Sequence, residues 1–251
     1  MRAFIERLSR NVVLKRRLPS KNGSLPLFVS PGASLRFWWP GLQHADPVLL
    51  EVASRFVHQG AVVWDIGANV GLFAFAAAAQ AGEHGKVLAV EPDLWLASMM
   101  RRSLRLPENA ELKLEILQAA VCDAIGTTRF TVARRGRAAS HLSAVRGSTQ
   151  AGGMAEERWV PAVTLDGLLG EHGAPEFVKI DVEGAEQLVL NGAQRLLSEC
   201  RPAIYCEVSA ECQEGVTASL RAHGYKLYDP QKDPALASPL DHAVWNTLAL
   251  P

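Results

Sequence analysis

The chain has 251 residues, of which 48% are hydrophobic and 21% charged, and its 26 Lys+Arg are balanced by 26 Asp+Glu. This is an ordinary globular composition, long enough for one large α/β domain with a small appendage. Balanced charge gives no basic field that would argue for a nucleic-acid partner, and no apolar run approaches the roughly 18 residues needed to cross a bilayer.

The N-terminus, MRAFIERLSRNVVLKRRLPSK, is basic and carries Phe4, Ile5, Leu8 and Val12 at helical spacing. It lacks the continuous apolar core and small-residue cleavage site of a secretory signal. A solvated helix packed on the domain is expected, with a membrane-surface or partner-binding helix as the alternative. LPLFVSPGASLRFWW (25 to 39) reads as a hairpin turning at Pro31-Gly32. DPVLLEVASRFVHQG (46 to 60) reads as a helix entered through Asp46-Pro47 and stopped by Gly60. Residues 1–47 are thus assigned to an N-terminal extension of basic helix and hairpin, and 48–251 to the main domain.

Residues 61 to 71, AVVWDIGANVG, are the most informative. Ala61 to Trp64 form a continuously apolar strand, as burial on both faces requires, and Asp65 ends it. Gly67 and Gly71 frame a turn in which backbone can approach a ligand, and LFAFAAAAQA (72 to 81) is a strong helix former. A dinucleotide site has G-x-G-x-x-G with pyrophosphate on the helix N-terminus. Here the spacing is G-x-x-x-G, and Asp65 would oppose a pyrophosphate. S-adenosylmethionine (SAM) has no phosphate and carries an ammonium and a sulfonium that a carboxylate attracts. KVLAVEP (86 to 92) is a second apolar strand ending in Glu91, placed to accept from two ribose hydroxyls. That feature suits NAD and SAM alike. The competing explanation is that Asp65 and Glu91 cap the helices that follow.

Beyond Glu91 a helix over 93–106 and a strand over 112–119 complete a βαβαβ half with right-handed crossovers. GTTRFTVA (126 to 133) reads as an added strand. The polar stretch of roughly Arg134 to Arg158 is a substrate lid or a disordered surface loop, and WVPAVTL (159 to 165) is strand-like. Then come strand 176–181, a helix from Gly184 to about Leu197, strand 202–208, helix 211–223, strand 225–228 and strand 243–249. The last two form a closing antiparallel pair. The expected fold is α/β, with a seven-stranded, mostly parallel sheet and one antiparallel edge strand. Cys122, Cys200, Cys206 and Cys212 match no zinc spacing and read as reduced thiols of a cytoplasmic protein.

In FVKIDVEGAEQLVLNGA (177 to 193) Asp181 ends a strand at the edge where open α/β sheets bind ligands. Gly184 permits a tight entry into the next helix, and Glu183 and Glu186 sit beside its first turn, where acids are expected in any case. Read together, DIGANVGLFAFAAA, VLAVEPD, LQAAVCDAIGTTRF, VTLDGLL, KIDVEGAEQLVLNGA, IYCEV and NTLALP resemble the FkbM-type SAM-dependent methyltransferases over about residues 48 to 251. The resemblance implies a class I, Rossmann-like methyltransferase fold, SAM as donor, and O-methylation of a hydroxyl on a sugar, glycan or secondary metabolite. By similarity Asp65, Gly67, Ala68, Asn69 and Gly71 cradle the methionine end of SAM. Glu91 holds the ribose, Gln118, Ala119 and Ala120 border the adenine, and Asp181 lies near the methyl group.

Candidate bases for the acceptor hydroxyl are Asp181, Glu183 and His141, the last swinging in with the lid. No metal is expected, although Asp181 and Glu183 could share one. The chain lacks the Asn/Asp-Pro-Pro-aromatic run typical of amino-methylating enzymes of nucleic acid, so a small-molecule or glycan acceptor is expected. A SAM-binding regulatory protein without catalysis and an NAD-linked oxidoreductase remain the competing functions.

Overall fold

A computed structural model describes residues 12–133, 140–143 and 154–251. The chain begins with strands β1 (Leu14–Arg17) and β2 (Pro26–Val29), then helix α1 (Pro47–Phe56), β3 (Val62–Ile66) and α2 (Leu72–Ala81). Next are β4 (Lys86–Val90), α3 (Leu94–Leu104), β5 (Leu114–Leu117), β6 (Ala120–Val121), β7 (Gly126–Ala133), β8 (His141–Leu142) and β9 (Met154–Val163). The chain then runs through α4 (Leu165–His172), β10 (Phe177–Ile180), α5 (Glu186–Asn191), β11 (Ala203–Glu207), α6 (Gln213–Ala222), β12 (Lys226–Tyr228) and β13 (Asn246–Leu250).

The main sheet has seven strands in the order β12-β13-β11-β10-β3-β4-β5. β3, β4, β5, β10 and β11 run parallel, while β13 is antiparallel to both β11 and β12. The reversed strand therefore stands one place in from the edge, not at the edge as expected. Alternation along the strands sorts side chains between two cores. Val63, Val87, Ala89, Phe177 and Tyr205 pack with α1, α2 and α3, whereas Trp64, Leu88, Val178, Ile180 and Ile204 pack with α4, α5 and α6. All of Leu72–Ala78 in α2 is buried, because a row of alanines lets this helix lie close to the sheet on one side and α1 on the other.

Asp46 caps α1, accepting from Leu49 N at 2.9 Å, with Pro47 in the first turn. That entry matches the sequence pattern. The expected hairpin turning at Pro31-Gly32 does not form. β2 instead pairs with the earlier β1, and the residues after Gly32 enter a 3-10 turn, Leu35–Trp38, where Arg36 N donates to Ser34 Oγ. The expected N-terminal helix cannot extend to residue 21, since β1 occupies Leu14–Arg17; Phe4, Ile5 and Leu8 lie outside the described residues. The helix expected from Gly184 to about Leu197 is interrupted: α5 ends at Asn191, and after a turn at Gly192 and Ala193 a π-helical turn covers Leu196–Cys200. Gly192 packs so closely on Cys122 that an added Cβ would stand 2.3 Å from its carbonyl oxygen.

The polar stretch carries strands at its described ends. β9 runs antiparallel to β7 and parallel to β6, and β8 adds to the far side of β7. Residues 154–158 thus belong to a strand, and 134–139 and 144–153 lie outside the described residues. No helix among the described residues is long and apolar enough to cross a membrane.

Candidate active site at the carboxyl edge of the sheet

Parallel strands deliver their following loops to one edge, and a cleft opens there, as open α/β sheets place their ligand sites. Ile66, Gly67 and Asn69 form one wall, and Val90, Glu91, Pro92 and Leu96 the next. Ala119, Ala120 and Val121 follow, and Asp181, Val182, Glu183 and Ala185 close the opposite side. The small sheet contributes Phe130, Ser140 and Leu142.

Close backbone approach shapes the turn after β3. Gly67 has φ +74°, and a Cβ there would stand 1.8 Å from the carbonyl oxygen of Asp181. No side chain fits. Asn69, at φ 54°, donates its backbone N–H to Glu91 Oε2 at 2.8 Å. Its own Oδ1 is buried without a hydrogen-bond partner. Glu91 is 5% exposed, and its Oε1 accepts from Asp93 N at 2.8 Å. Each carboxylate oxygen keeps a second lone pair for a donor in the cleft. Burial pushes this carboxyl up to about 8, against the pull of the two amides. The cap of α3 is Asp93, which accepts from Trp95 N at 2.8 Å. Helix capping therefore does not account for Glu91.

Across the cleft, Glu183 (φ 51°) and Gly184 (φ 98°) make a tight reversal after Asp181. Glu186 braces it, accepting from Gly184 N at 2.7 Å and from Ser209 Oγ at 2.8 Å. At 1% exposure, Glu186 is an internal tie between two loops. Glu183 faces the cleft. Burial first, then the neighbouring Asp181 and Glu186, push its carboxyl up to about 8.

Behind both turns lies Lys179, 2% exposed and paired in register with Asp65 across β10 and β3. Its Nζ lies 3.1 Å from Asp65 Oδ1 and 3.4 Å from Asp181 Oδ2, and donates to Gly67 O at 2.7 Å. Burial alone disfavours this ammonium, but Asp65, Asp181 and Glu207 outweigh it and hold Lys179 above the usual lysine range.

The methyltransferase FkbM domain matches residues 65–227, well over half of the chain.

The chain belongs to the FkbM methyltransferase family.

None of the curated proteins matches it. Among solved structures it is similar to precorrin-6y C5,15-methyltransferase from Geobacter metallireducens GS-15, at 14% identity and TM-score 0.47 over 82% of this chain and 87% of that one. It is also similar to methyltransferase FkbM from Methylobacillus flagellatus KT, at 15% identity and TM-score 0.44, covering 76% of this chain but 43% of that longer one. Fibrillarin from Aeropyrum pernix, solved with natively bound SAM, has 11% identity and TM-score 0.46 over 96% of this chain and 83% of that one.

The cofactor of this FkbM methyltransferase is SAM, and the donor set fits it. Glu91 and the unpartnered Asn69 Oδ1 offer acceptors to hydroxyl and ammonium groups. Of the residues expected to touch the cofactor, Gly67, Asn69, Glu91, Ala119, Ala120 and Asp181 line the cleft, whereas Asp65, Ala68, Gly71 and Gln118 do not. Asp65 is 0% exposed and paired with Lys179, so its charge is answered inside the protein and does not face a ligand as the sequence suggested. Gly71 makes room for the core: a Cβ there would stand 2.9 Å from Phe75 and 3.1 Å from Met100.

Glu183 lines the cleft but His141 does not. Ser140 and Leu142 face the cleft, and strand alternation turns the residue between them away. Among the described residues no three His, Cys, Asp or Glu are grouped to hold a metal ion. Sequence reasoning missed Lys179, Phe130 and Leu142. For Phe130 the signal was present in the alternation of GTTRFTVA.

Proposed function

We propose that this methyltransferase is an O-methyltransferase, acting on a hydroxyl of a sugar, glycan or secondary metabolite, with Asp181 as the base and Glu183 beside it. The observation that carries this reading is the pair of carboxyls on the wall opposite Glu91. Bound SAM supplies a methyl group on a sulfonium leaving group. Transfer is an in-line displacement, so orientation supplies much of the acceleration. An alcohol has a high pKa and attacks more readily when a carboxylate takes its proton as the bond forms. Asp181 is suited to this, being partly open to the cleft (side chain 27% exposed) and held from behind by Lys179. Glu183, pushed up to about 8, is placed to donate a hydrogen bond to another acceptor oxygen below that pH.

The acidic rim and zero net charge support a small acceptor over a nucleic acid. The division into an extension over 1–47 and a catalytic domain over 48–251 belongs to the same reading. Methyl-labelled SAM, incubated with the protein and a panel of glycans and hydroxylated metabolites, tests it. Asp181→Asn should lower turnover by about 10²-fold or more while SAM affinity changes little. Unchanged turnover in Asp181→Asn would remove Asp181 as the base.

A further inference from the structure

The cleft is not uniform in its chemistry. Glu91, Asp181 and Glu183 are acids, carried by the loops that follow β4 and β10. The wall supplied by the small sheet bears no charge. There Phe130 and Leu142 lie opposite each other in register on β7 and β8, and Ser140 stands just before β8. Ala120 of β6 joins Phe130 and Leu142 in one apolar cluster, so this end of the cleft is continuous with a small hydrophobic core.

Ser140 is the polar exception within that wall. It is 8% exposed, and burying a hydroxyl costs free energy unless its hydrogen bonds are made. Its Oγ accepts from Ala133 N at 3.1 Å, and among the described residues the hydroxyl makes no further hydrogen bond. A serine hydroxyl has two lone pairs and one proton, which turns about the Cβ–Oγ bond to suit its partner. The sheet thus uses the acceptor side of Ser140 and leaves the donor for the cleft.

SAM divides in the same way. Its ammonium, sulfonium and ribose hydroxyls are cationic or donate protons, and acids answer them. Its adenine has flat apolar faces and ring nitrogens that accept, so it suits aromatic surface beside a neutral donor. Phe130, Leu142 and Ser140 offer that combination. Asn69, another neutral polar side chain of the lining, is tied by its backbone to Glu91 and so belongs to the acidic side. We propose that the small sheet reads the adenine of SAM: Phe130 and Leu142 supply the apolar surface, and the Ser140 hydroxyl donates to one ring nitrogen. Ser140 is then a specificity-determining residue for the cofactor, supplied by the inserted strands and not by the main sheet. The proposal depends neither on the acceptor that is methylated nor on the acid that serves as base.

Calorimetric titration with S-adenosylhomocysteine and its 1-deaza, 3-deaza and 7-deaza forms tests it without turnover. Each analogue replaces one ring nitrogen by C–H. In the wild type one of the three should bind about 3- to 10-fold more weakly than the parent, the worth of one hydrogen bond. Ser140→Ala should weaken the parent by a similar factor and bring that analogue level with it. A purely structural role, through the lost acceptor for Ala133 N, would weaken all four ligands equally and leave the differences among them as in the wild type. That result overturns the proposal. Equal wild-type affinity for all four ligands overturns it as well, because no ring nitrogen is then read. Where Ser140→Ala does not fold, Ser140→Cys, which keeps the shape with a weaker donor, is judged by the same pattern.

Discussion

At the scale of single residues, Glu91 is expected to set the pH dependence of cofactor binding. Burial pushes its carboxyl to about 8 in the unliganded cleft, so near neutral pH it is largely protonated. Ribose hydroxyls and a nearby positive charge favour the carboxylate, and binding of SAM should therefore release a proton. Affinity should rise with pH up to about 8 and level off above it. Calorimetry in buffers of different ionisation enthalpy reads the release directly. Glu91→Gln should cost about 1–3 kcal/mol of affinity and remove most of the proton release, the remainder belonging to Glu183. The sign for folding is the reverse. A carboxyl raised above its unfolded value of 4.5 contributes stability that is full below that value and lost as pH rises through about 8. Glu91→Gln should accordingly flatten the fall in stability of the unliganded protein over that window, as followed by denaturant unfolding.

At the scale of elements, the small sheet decides what the polar insertion does. β7, β8 and β9 pair over the cleft, and Phe130 and Leu142 present apolar surface to it from adjacent strands. Register puts Phe130 opposite Leu142 and Thr131 opposite His141. The first pair lines the cleft and the second does not. Phe130→Ala should weaken SAM binding by about 1 kcal/mol or more, for loss of aromatic surface. His141→Ala should leave both SAM affinity and turnover within a few-fold of wild type. A loss of about 10²-fold in turnover from His141→Ala would instead be the size expected of a base. Deletion of the whole segment should damage cofactor binding as well as transfer, because residues of its flanking strands line the cleft.

At the scale of the whole molecule, the N-terminal hairpin is continuous with the core of the sheet. Leu27, Val29 and Leu42 are fully buried in the same cluster as Val63, Phe73 and Phe177. Polar ties run across the junction. Phe28 N donates to Ser103 Oγ at 2.8 Å, Asn109 Nδ2 donates to Pro26 O at 2.9 Å, and the Arg102 guanidinium lies 4.0 Å from the centre of the Phe28 ring. A chain beginning at residue 48 would expose this surface, each large apolar side chain contributing about 1.5–3 kcal/mol. Such a chain is expected not to fold cooperatively, as judged by the loss of a sharp thermal transition. Leu27→Ala in the full chain should cost about 2–5 kcal/mol in denaturant unfolding.

Local rules made much of this protein legible from its residues alone. Strand, glycine turn and helix around Asp65, the acid ending β4, and the Asp46-Pro47 cap all depend on neighbours a few positions apart. The α/β class and the order of elements followed from the alternation of such units. What the sequence could not reveal depends on partners far apart in the chain. A lysine inside FVKID has no local mark of burial, and Lys179 becomes intelligible when β10 and β3 set it opposite Asp65, 114 positions earlier in the numbering. The same pairing turned Asp65 from a ligand-facing acid into an internal partner. Gly67 and Gly71 look alike in sequence. One yields to the backbone of Asp181 and the other to Met100, a difference settled by which strand or helix crosses each position. Whether β13 lies at the edge or one place inside it is likewise a matter of sheet assembly. Hydrophobic alternation specifies which face of a strand is buried, but the tertiary structure alone selects its neighbour, because every apolar strand offers the same backbone donors and acceptors on both sides.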